Sequence, residues 1–286
     1  MPHLLSLQSH VAYGHVGNRA AVFPLQRHGF DVTAIHTVQF SNHTGYGAFT
    51  GDVFSPAHLM DVLNGIEARG ALKHMQALLT GYLGDERTGD VALEALTRIR
   101  RHQPDALYCC DPVMGDTGRG FFVKPGLPEW IRDHAIARAS IITPNQFELG
   151  FLADRTIASR GDALAAAADL RAKGPKQVIV TSLDVPELPE HHIAMLLDNE
   201  EGSWEVMTPK LHFDTPPNGA GDVTSALFLA HMLKGASPEQ ALAQTASSVF
   251  AIFEATFAAG ERELQLIAAQ DRLLTPPQLF RAERVR

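Results

Sequence analysis

Short apolar runs alternate along the first two thirds of the chain with longer stretches in which apolar residues recur every three or four positions. The short runs predict β-strands and the longer stretches predict amphipathic helices. The predicted strands cover residues 3–8, 31–38, 75–80, 106–110, 140–143 and 177–181. The predicted helices lie near 16–28, 56–69, 88–102, 145–152 and 161–173. This alternation indicates right-handed crossovers and a mostly parallel sheet covered by helices on both faces.

The pattern changes in the last third of the chain. Residues 192–198 and 203–207 flank the turn sequence Asn-Glu-Glu-Gly and predict an antiparallel hairpin at a sheet edge. The remainder is predicted to be helical, with an apolar stripe over 219–234 and a second helix that starts after the cap Ser237. We find no linker or repeat that divides the chain. The sequence therefore predicts one three-layer α/β/α domain over residues 1–286.

Composition narrows the class of protein. The 286 residues are 45% hydrophobic and 20% charged, as expected for a globular chain with a sizeable core. The formal net charge of -8 argues against a dedicated nucleic-acid-binding protein, which needs a basic face.

The only two cysteines, Cys109 and Cys110, are adjacent, which suits a reducing compartment. With no signal-peptide pattern at the N-terminus and no apolar run near ~18 residues, we expect a cytoplasmic protein without a membrane span.

Ligands of parallel α/β sheets bind at the carboxyl ends of the strands, so candidate chemistry is sought in the loops there. The first candidate is Asn218-Gly219-Ala220-Gly221-Asp222, directly before a predicted helix. Small residues let a ligand approach the backbone, and the unpaired amides of a helix start bind anions such as phosphate. Asp222 would stand where a phosphate arrives and could accept a proton. An ordinary glycine turn with a helix-start aspartate fits the same spacing about equally well.

Two further strand ends carry acidic residues. Asp111 follows the apolar run 106–110 and is held by Pro112, so it could orient a metal-bound or cationic group or simply end the strand. The glycine-containing loop 116–126 that follows could close as a lid or be an ordinary surface loop.

Asn145 and Glu148 lie one helical turn apart after the next strand and could hold a hydrated Mg2+. In isolation the same pair is better explained as a helix cap.

The loops that follow the first two strands, 8–18 and 41–47, are rich in hydrogen-bond donors, rings and glycines. Such loops suit a small polar heterocycle, although surface turns have a similar composition. The chain contains no phosphate loop of the Gly-x4-Gly-Lys-Ser/Thr type, no His-Glu-x-x-His helix and no Gly-x-Ser-x-Gly elbow. These absences exclude the common nucleotide-loop, zinc-protease and hydrolase patterns.

Taken in order along the chain, these segments resemble the ribokinase-like superfamily, and within it the pyridoxal kinases of the bacterial PdxY type. The resemblance covers nearly the whole chain. It rests on QSHVAYGHVGN at 8–18, TVQFSNHTGYG at 37–47, GYLG at 81–84, DPVMG at 111–115, TPNQFEL at 143–149 and NGAGDVTSALFL at 218–229. It implies a ribokinase-like fold and Mg2+-assisted transfer of the γ-phosphoryl group of ATP to the 5'-hydroxymethyl group of pyridoxal. It also implies a homodimer.

The resemblance assigns a role to each matching position. It implies that Asp222 is the catalytic base and that Gly219, Ala220 and Gly221 form the anion hole. The implied substrate-binding residues are Ser9, Thr44, Gly45, Tyr82 and Asp222. The implied ATP-binding residues are Asp111, Thr143, Glu148, Thr181, Thr208, Pro209, Lys210 and Leu211. Asn145 and Glu148 match the pair that organises Mg2+ through water.

Two departures from the family pattern concern the substrate and the lid. The sequence GAGD at 219–222 replaces the GTGD of many pyridoxal kinases and is the version shared with sugar kinases, which loosens the substrate assignment. Phe121 and Phe122 make the lid apolar where relatives vary, so no lid contact is carried over. A hydroxymethylpyrimidine kinase of the same superfamily and a non-catalytic vitamin B6 carrier or sensor stay open as alternatives.

Overall fold

Ten strands form one sheet in the computed structural model, which describes residues 2–286. The strands of the chain are β1 (His3–Val11), β2 (Asp31–Phe40), β3 (Gly51–Val53), β4 (Met75–Thr80), β5 (Leu107–Cys110), β6 (Gly115–Asp116), β7 (Gly120–Phe121), β8 (Ile141–Ile142), β9 (Gln177–Leu183), β10 (His192–Asn199), β11 (Gly202–Pro209) and β12 (Glu283–Arg284). The order in the sheet is β12-β11-β10-β9-β8-β5-β4-β1-β2-β3, and β6 pairs only with β7. The six central strands from β9 to β2 are parallel, and the strands outside them are antiparallel.

Helices cover both faces of this sheet. They are α1 (Asn18–Arg27), α2 (Pro56–Ala68), α3 (Glu86–Arg100), α4 (Leu127–Trp130), α5 (Gln146–Ala153), α6 (Arg160–Arg171), α7 (Ala220–Leu233), α8 (Pro238–Ala259) and α9 (Gln270–Leu274). Helices α1, α7 and α8 pack on one face, and α2 to α6 pack on the other. The predicted α/β fold, mostly parallel with an antiparallel edge, is confirmed.

The central strands are apolar on both sides, and successive residues face opposite helix layers. In β4, Leu78 packs with the α2–α6 layer, whereas Ala77 and Leu79 pack with the α1–α7–α8 layer. Tyr108 and Cys109 of β5 divide in the same way. A parallel sheet buried on both faces produces this near-continuous apolar pattern. The strands are therefore the rigid base from which the loops at their carboxyl ends project.

Several boundaries differ from the predictions for physical reasons. Helix α3 begins at Glu86, two residues earlier than predicted, because the Asp85 side chain caps it through the Thr88 amide. The helix predicted over 219–234 forms as α7 and its apolar stripe is buried, but the rest of residues 223–231 is buried as well, because the helix is enclosed by neighbouring helices and the sheet. The C-terminal part is not wholly helical, since Pro276 and Pro277 follow α9.

The predicted hairpin and two of the four strands that the sequence did not reveal lie at the borders of the ten-stranded sheet. The predicted hairpin forms as β10 and β11, but β12 pairs with two residues of β11 on its outer side. Strands β3 and β12 are exposed along their whole length, so they carry no buried face for a hydrophobic pattern to mark. The single domain over residues 1–286 stays a prediction.

One helix in residues 2–286, α8, has the length and composition of a membrane span, with a mean hydropathy of 1.2 over its most apolar window. In that window 61% of the residues are buried inside the fold. A buried core helix passes the same test, so this is weak evidence for a span. The expectation of no membrane segment stays a prediction.

Candidate active site

Predicted site residues and their neighbours from four parts of the chain meet where α7 begins, at the carboxyl edge of the parallel strands. A Cβ placed on Gly221 would lie 3.4 Å from Oδ2 of Asp111, which follows β5. A Cβ on Gly81, after β4, would lie 3.3 Å from Oδ1 of Asp222. The Thr143 hydroxyl, after β8, is 2.8 Å from that of Ser225 on α7. Parallel strands bring their carboxyl ends to one edge, which is why residues distant in sequence converge here.

The start of α7 is a helix N-terminus without a side-chain cap among the described residues. Gly219 precedes the helix with φ 92° and ψ 0°, a conformation that favours glycine. A Cβ at this position would collide with the carbonyl oxygen of His15. The first-turn amides of α7 have no acceptor within their own helix, and the helix dipole adds partial positive charge. The geometry is that of an anion site, as the glycine-rich segment predicted.

Asp222 lies in the first turn of α7 and is partly buried. Loss of hydration raises the pKa of its carboxyl group to about 6, although a hydrogen bond from the Gly17 backbone acts in the opposite direction. A carboxylic acid with such a pKa is mostly ionised at neutral pH and is still a stronger base than an ordinary aspartate. The carboxylate can therefore accept a proton next to the anion site.

Asp111 is the second buried carboxyl group, with 5% of its surface exposed. Its Oδ2 has no hydrogen-bond partner among residues 2–286. Burial raises the pKa of Asp111 well above the ordinary value, and the charges of Glu148 and Asp222 raise it further. An isolated buried carboxylate is costly, so this oxygen is suited to a cation that neutralises it.

Glu148 and Asn145 form the reciprocal helix cap that the sequence offered as the alternative to a metal site. The Asn145 side chain accepts the Glu148 amide at 2.9 Å, and Glu148 Oε2 accepts the Asn145 amide at 3.0 Å. Glu148 Oε1 accepts the Met114 amide at 3.0 Å, which ties the start of α5 to the loop after Asp111. Burial nevertheless raises the pKa of Glu148 to about 8. The pair is a helix cap with an acidic group whose ionised form would benefit from a cation.

A metal ion beside the start of α7 would have few direct protein ligands. In the described part of the chain, no three His, Cys, Asp or Glu side chains are arranged to hold a metal ion together. The charges of Glu148 and Asp222 nevertheless both raise the pKa of Asp111, and Asp111 has an oxygen without a partner among residues 2–286. Mg2+ keeps several of its waters and takes one or two carboxylates in phosphate-binding sites. The residues present therefore fit a hydrated Mg2+ shared with a phosphate.

The predicted nucleotide-side residues lie at the same edge of the sheet. Strand β11 runs antiparallel to β10, which runs antiparallel to β9, so β11 and β9 point the same way. Thr208 and Pro209 thus end β11 at the edge where Thr181 lies in β9, with Leu211 two residues further on. The Lys210 side chain is paired with Asp184 in a short ion pair.

The predicted substrate residues come from the loops after β1, β2 and β4. Ser9 is buried in β1, and a Cβ on Gly17 would collide with it, so the loop after β1 folds tightly back over Ser9. Tyr82 is half-buried, and its carbonyl oxygen accepts a hydrogen bond from Thr37 at 2.9 Å. Thr44 and Gly45 lie in an exposed 3-10 turn that ends at Tyr46.

The loop 116–126 contains most of the small β6–β7 hairpin, which begins at Gly115. Phe121 packs edge-on against Phe147 and Phe151 of α5, each at 5.1 Å between ring centroids, and is still 49% exposed. A Cβ on Gly45 would lie 3.6 Å from the Arg119 guanidinium, so the loop tip reaches the turn that contains Thr44. The position suits the predicted lid.

Two residues at this site were missed by the sequence reasoning. Arg262 and Glu263, after α8, contact the loops that follow β1 and β2. They belong to no motif, and their long sequence separation from those loops left no local signal.

Known proteins are similar to this chain over its whole length. The sequence model of the phosphomethylpyrimidine kinase family matches residues 32–266. A protein of Rubrobacter xylanophilus named pyridoxal kinase PdxY is 52% identical over 99% of this chain and 97% of its own. One of Deinococcus radiodurans with the same name is 51% identical over 99% of this chain and 96% of its own.

A solved structure shares the fold. Pyridoxal kinase from Leishmania donovani in complex with ADP and pyridoxine superimposes with a TM-score of 0.90 at 30% identity, covering 99% of each chain. The uncapped glycine start of α7, the buried carboxyl groups beside it and this full-length similarity agree. The chain belongs to the pyridoxal kinase PdxY family, within the broader group that the phosphomethylpyrimidine kinase model describes.

Proposed function

We propose that this protein is an ATP-dependent pyridoxal kinase that phosphorylates the 5'-hydroxymethyl group of pyridoxal to give pyridoxal 5'-phosphate. The observation that carries the proposal is the partly buried carboxylate of Asp222 beside the uncapped N-terminus of α7. The names of the relatives and the ADP and pyridoxine of the Leishmania donovani structure support the two substrates. A non-catalytic vitamin B6 carrier would not need this carboxylate at an anion site.

In the proposed reaction the 5'-hydroxyl oxygen attacks the γ-phosphorus of ATP, and the bond between that phosphorus and the β–γ bridging oxygen breaks. ADP leaves, and the hydroxyl proton passes to the Asp222 carboxylate. Phosphoryl transfer has a loose transition state, so the residues act mainly by positioning and by charge stabilisation. Asp222 orients the hydroxyl and takes its proton late in the transfer.

The other site residues divide into two groups by position. Ser9, Tyr82 and the Thr44–Gly45 turn would hold the pyridine ring, whereas Thr143, Thr181 and the segment 208–211 would hold the nucleotide. The amides at Gly219, Ala220 and Gly221 would stabilise negative charge on the moving phosphoryl group.

Asp111, Asn145 and Glu148 would hold Mg2+, the latter two through water. Mg2+ would supply charge neutralisation of the nucleotide phosphates. Closure of the lid, 116–126, would keep water from the phosphoryl group.

A substrate panel tests the function directly. We expect kcat/KM, measured with ATP and Mg2+, to be at least about 10-fold higher for pyridoxal than for hydroxymethylpyrimidine, since a pocket built for one heterocycle loses about that factor with another. Pyridoxine and pyridoxamine complete the panel. The phosphomethylpyrimidine kinase model makes the pyrimidine the second candidate. A preference for the pyrimidine would reverse the assignment, and no turnover of any compound would favour a binding protein.

The metal role of Glu148 is separable from its capping role. We expect Glu148→Ala to raise the Mg2+ concentration for half-maximal activity by about 10–100-fold, the usual loss when a water-mediated partner of a metal is removed. The defect should therefore shrink as Mg2+ rises. The measurement is the initial rate over a Mg2+ titration at saturating ATP.

Gln240 provides the matched control, because it closes a capping box with Ser237 at the start of α8. Gln240→Ala should lower the melting temperature slightly and leave the Mg2+ titration unchanged, since loss of a cap costs about 1 kcal/mol. A Glu148→Ala defect that does not respond to Mg2+ would leave capping as the whole role of that residue.

We also propose a cytoplasmic homodimer, on the strength of the resemblance. The two cysteines are free and buried, which suits a reducing compartment.

A further inference from the structure

The segment that follows α8 contacts two loops of the proposed substrate site through one carboxylate. Oε1 of Glu263 accepts a hydrogen bond from the Tyr46 hydroxyl at 2.6 Å, and Oε2 accepts one from the His15 amide at 2.9 Å. Tyr46 belongs to the loop after β2, and His15 to the loop after β1. Hydrogen bonds to an ionised acceptor are about twice as strong as neutral ones, so Glu263 joins these loops firmly.

Arg262 holds the same turn from a second direction. Its guanidinium group lies 3.8 Å from the centroid of the Tyr46 ring, and its Nη2 donates to the Gly45 carbonyl oxygen at 2.8 Å. The turn Thr44–Tyr46 contains no buried residue, and its Tyr46 ring packs edge-on only against the exposed ring of Tyr13, at 6.2 Å between ring centroids. With so little buried surface, the turn depends for its position mainly on polar contacts and on the stacked guanidinium.

The contacts extend to the anion site. His15, whose amide is bound by Glu263, has its carbonyl oxygen against Gly219, where a Cβ would collide with it. Cδ1 of Leu264 would lie 3.4 Å from the same Cβ. Residues 262–264, here termed the C-terminal clamp, thus contact both the turn with Thr44 and Gly45 and the residues that support the start of α7.

We propose that Arg262 and Glu263 are positioning residues that hold the Thr44–Tyr46 turn at a fixed distance from the anion site. The inference rests on the proposed function, because that function gives the turn its role in binding pyridoxal. In this proposal the C-terminal clamp acts on pyridoxal only through the Thr44–Tyr46 turn. It raises the fraction of molecules in which that turn is correctly placed. A ligand's apparent affinity falls in proportion when this fraction falls.

Hydrogen–deuterium exchange without ligands tests the clamp independently of any activity. The amides of Tyr46 and Gly47 are bonded to the carbonyl oxygens of His43 and Thr44 at 3.1 Å, so the closed turn protects them. In Glu263→Ala we expect peptides covering 41–50 to exchange at least about 5-fold faster than in the unmodified protein, because local opening exposes these amides. Unchanged exchange would overturn the proposal, whatever the protein phosphorylates.

Steady-state kinetics give the second readout. Glu263→Ala should raise KM for pyridoxal about 10-fold, the factor lost with one hydrogen bond to a charged group, and leave KM for ATP within about two-fold. Glu263→Gln can still accept from the His15 amide and donate to the Tyr46 oxygen, so it should recover most of the affinity. An equal rise in both KM values would indicate a general structural defect and contradict the clamp.

Two comparisons complete the experiment. Glu261→Ala removes an exposed carboxylate from the same segment and should change neither exchange nor kinetics. Tyr46→Phe keeps the ring that Arg262 covers and removes only the hydroxyl, so its effect should not add to that of Glu263→Ala. Full additivity would contradict a shared contact. If the unmodified protein phosphorylates no B6 vitamer, the proposed function fails, and the exchange data still decide the clamp.

Discussion

Asp222→Asn is expected to lower kcat by about 10²–10⁴-fold, the range for loss of a positioned acid–base group. The amide has the size of the carboxyl group but cannot accept the hydroxyl proton. Binding of pyridoxal and ATP, measured by calorimetry, should largely survive, since the first-turn amides of α7 are unchanged. Turnover equal to that of the unmodified protein would remove Asp222 from its proposed role.

The pH dependence provides a second check on the same residue. With a pKa of about 6, the Asp222 carboxyl group is protonated below that pH, so kcat of the unmodified protein should fall as pH drops through about 6. Phosphate groups of ATP also titrate near this range, but they are common to both proteins. The ratio of the two kcat values should therefore shrink toward acid pH. A constant ratio would contradict proton transfer to Asp222.

Asp222→Asn should not fail through instability. Because the folded-state pKa is raised, ionisation of Asp222 costs stability as pH rises from about 4, the unfolded value, through about 6. The asparagine variant avoids this cost. Its melting temperature relative to the unmodified protein should therefore be higher at pH 7 than at pH 4, which thermal unfolding at the two pH values measures.

Gly219→Ala is expected to lower kcat/KM about 100-fold or more. The residue has φ 92°, and an added Cβ collides with the His15 carbonyl oxygen, so the backbone at the start of α7 must shift. A displacement of about 1 Å at groups that position a reaction can cost 10²-fold. The measurement is steady-state kinetics together with the melting temperature.

Gly235, at the other end of α7, supplies the control for backbone strain. It has φ 82°, and apart from Gly235 itself and its two chain neighbours no heavy atom of residues 2–286 lies within 4 Å of the position of an added Cβ. Gly235→Ala should lower stability by about 1 kcal/mol, as alanine does in a left-handed conformation, and leave kcat/KM within about two-fold. Equal losses of activity in both variants would attribute the Gly219 effect to strain alone.

Much of the fold was predictable because it has local causes. Buried parallel strands have continuous apolar runs, and helix starts carry capping residues such as Ser55 and Ser237. Strands and helix starts can therefore both be recognised in the sequence. Strands β3 and β12 were not predictable, because their exposed residues carry no such pattern. The start of α7 was recognisable for a related reason: its glycines and Asp222 are contiguous.

Local sequence patterns thus specify the sheet and helix pattern, the glycine-rich helix start and the acidic residues at strand ends. The folded structure specifies which of these residues meet and that one Asp111 oxygen is buried without a partner among residues 2–286. It also specifies that one Glu148 oxygen caps α5 through the Asn145 amide while the other accepts the Met114 amide. It also brings Arg262 and Glu263 into hydrogen-bond contact with the Thr44–Tyr46 turn. Propensity and periodicity act over a few residues, whereas a contact such as that of Glu263 with His15 spans 248 positions and exists only once the sheet has brought its loops together.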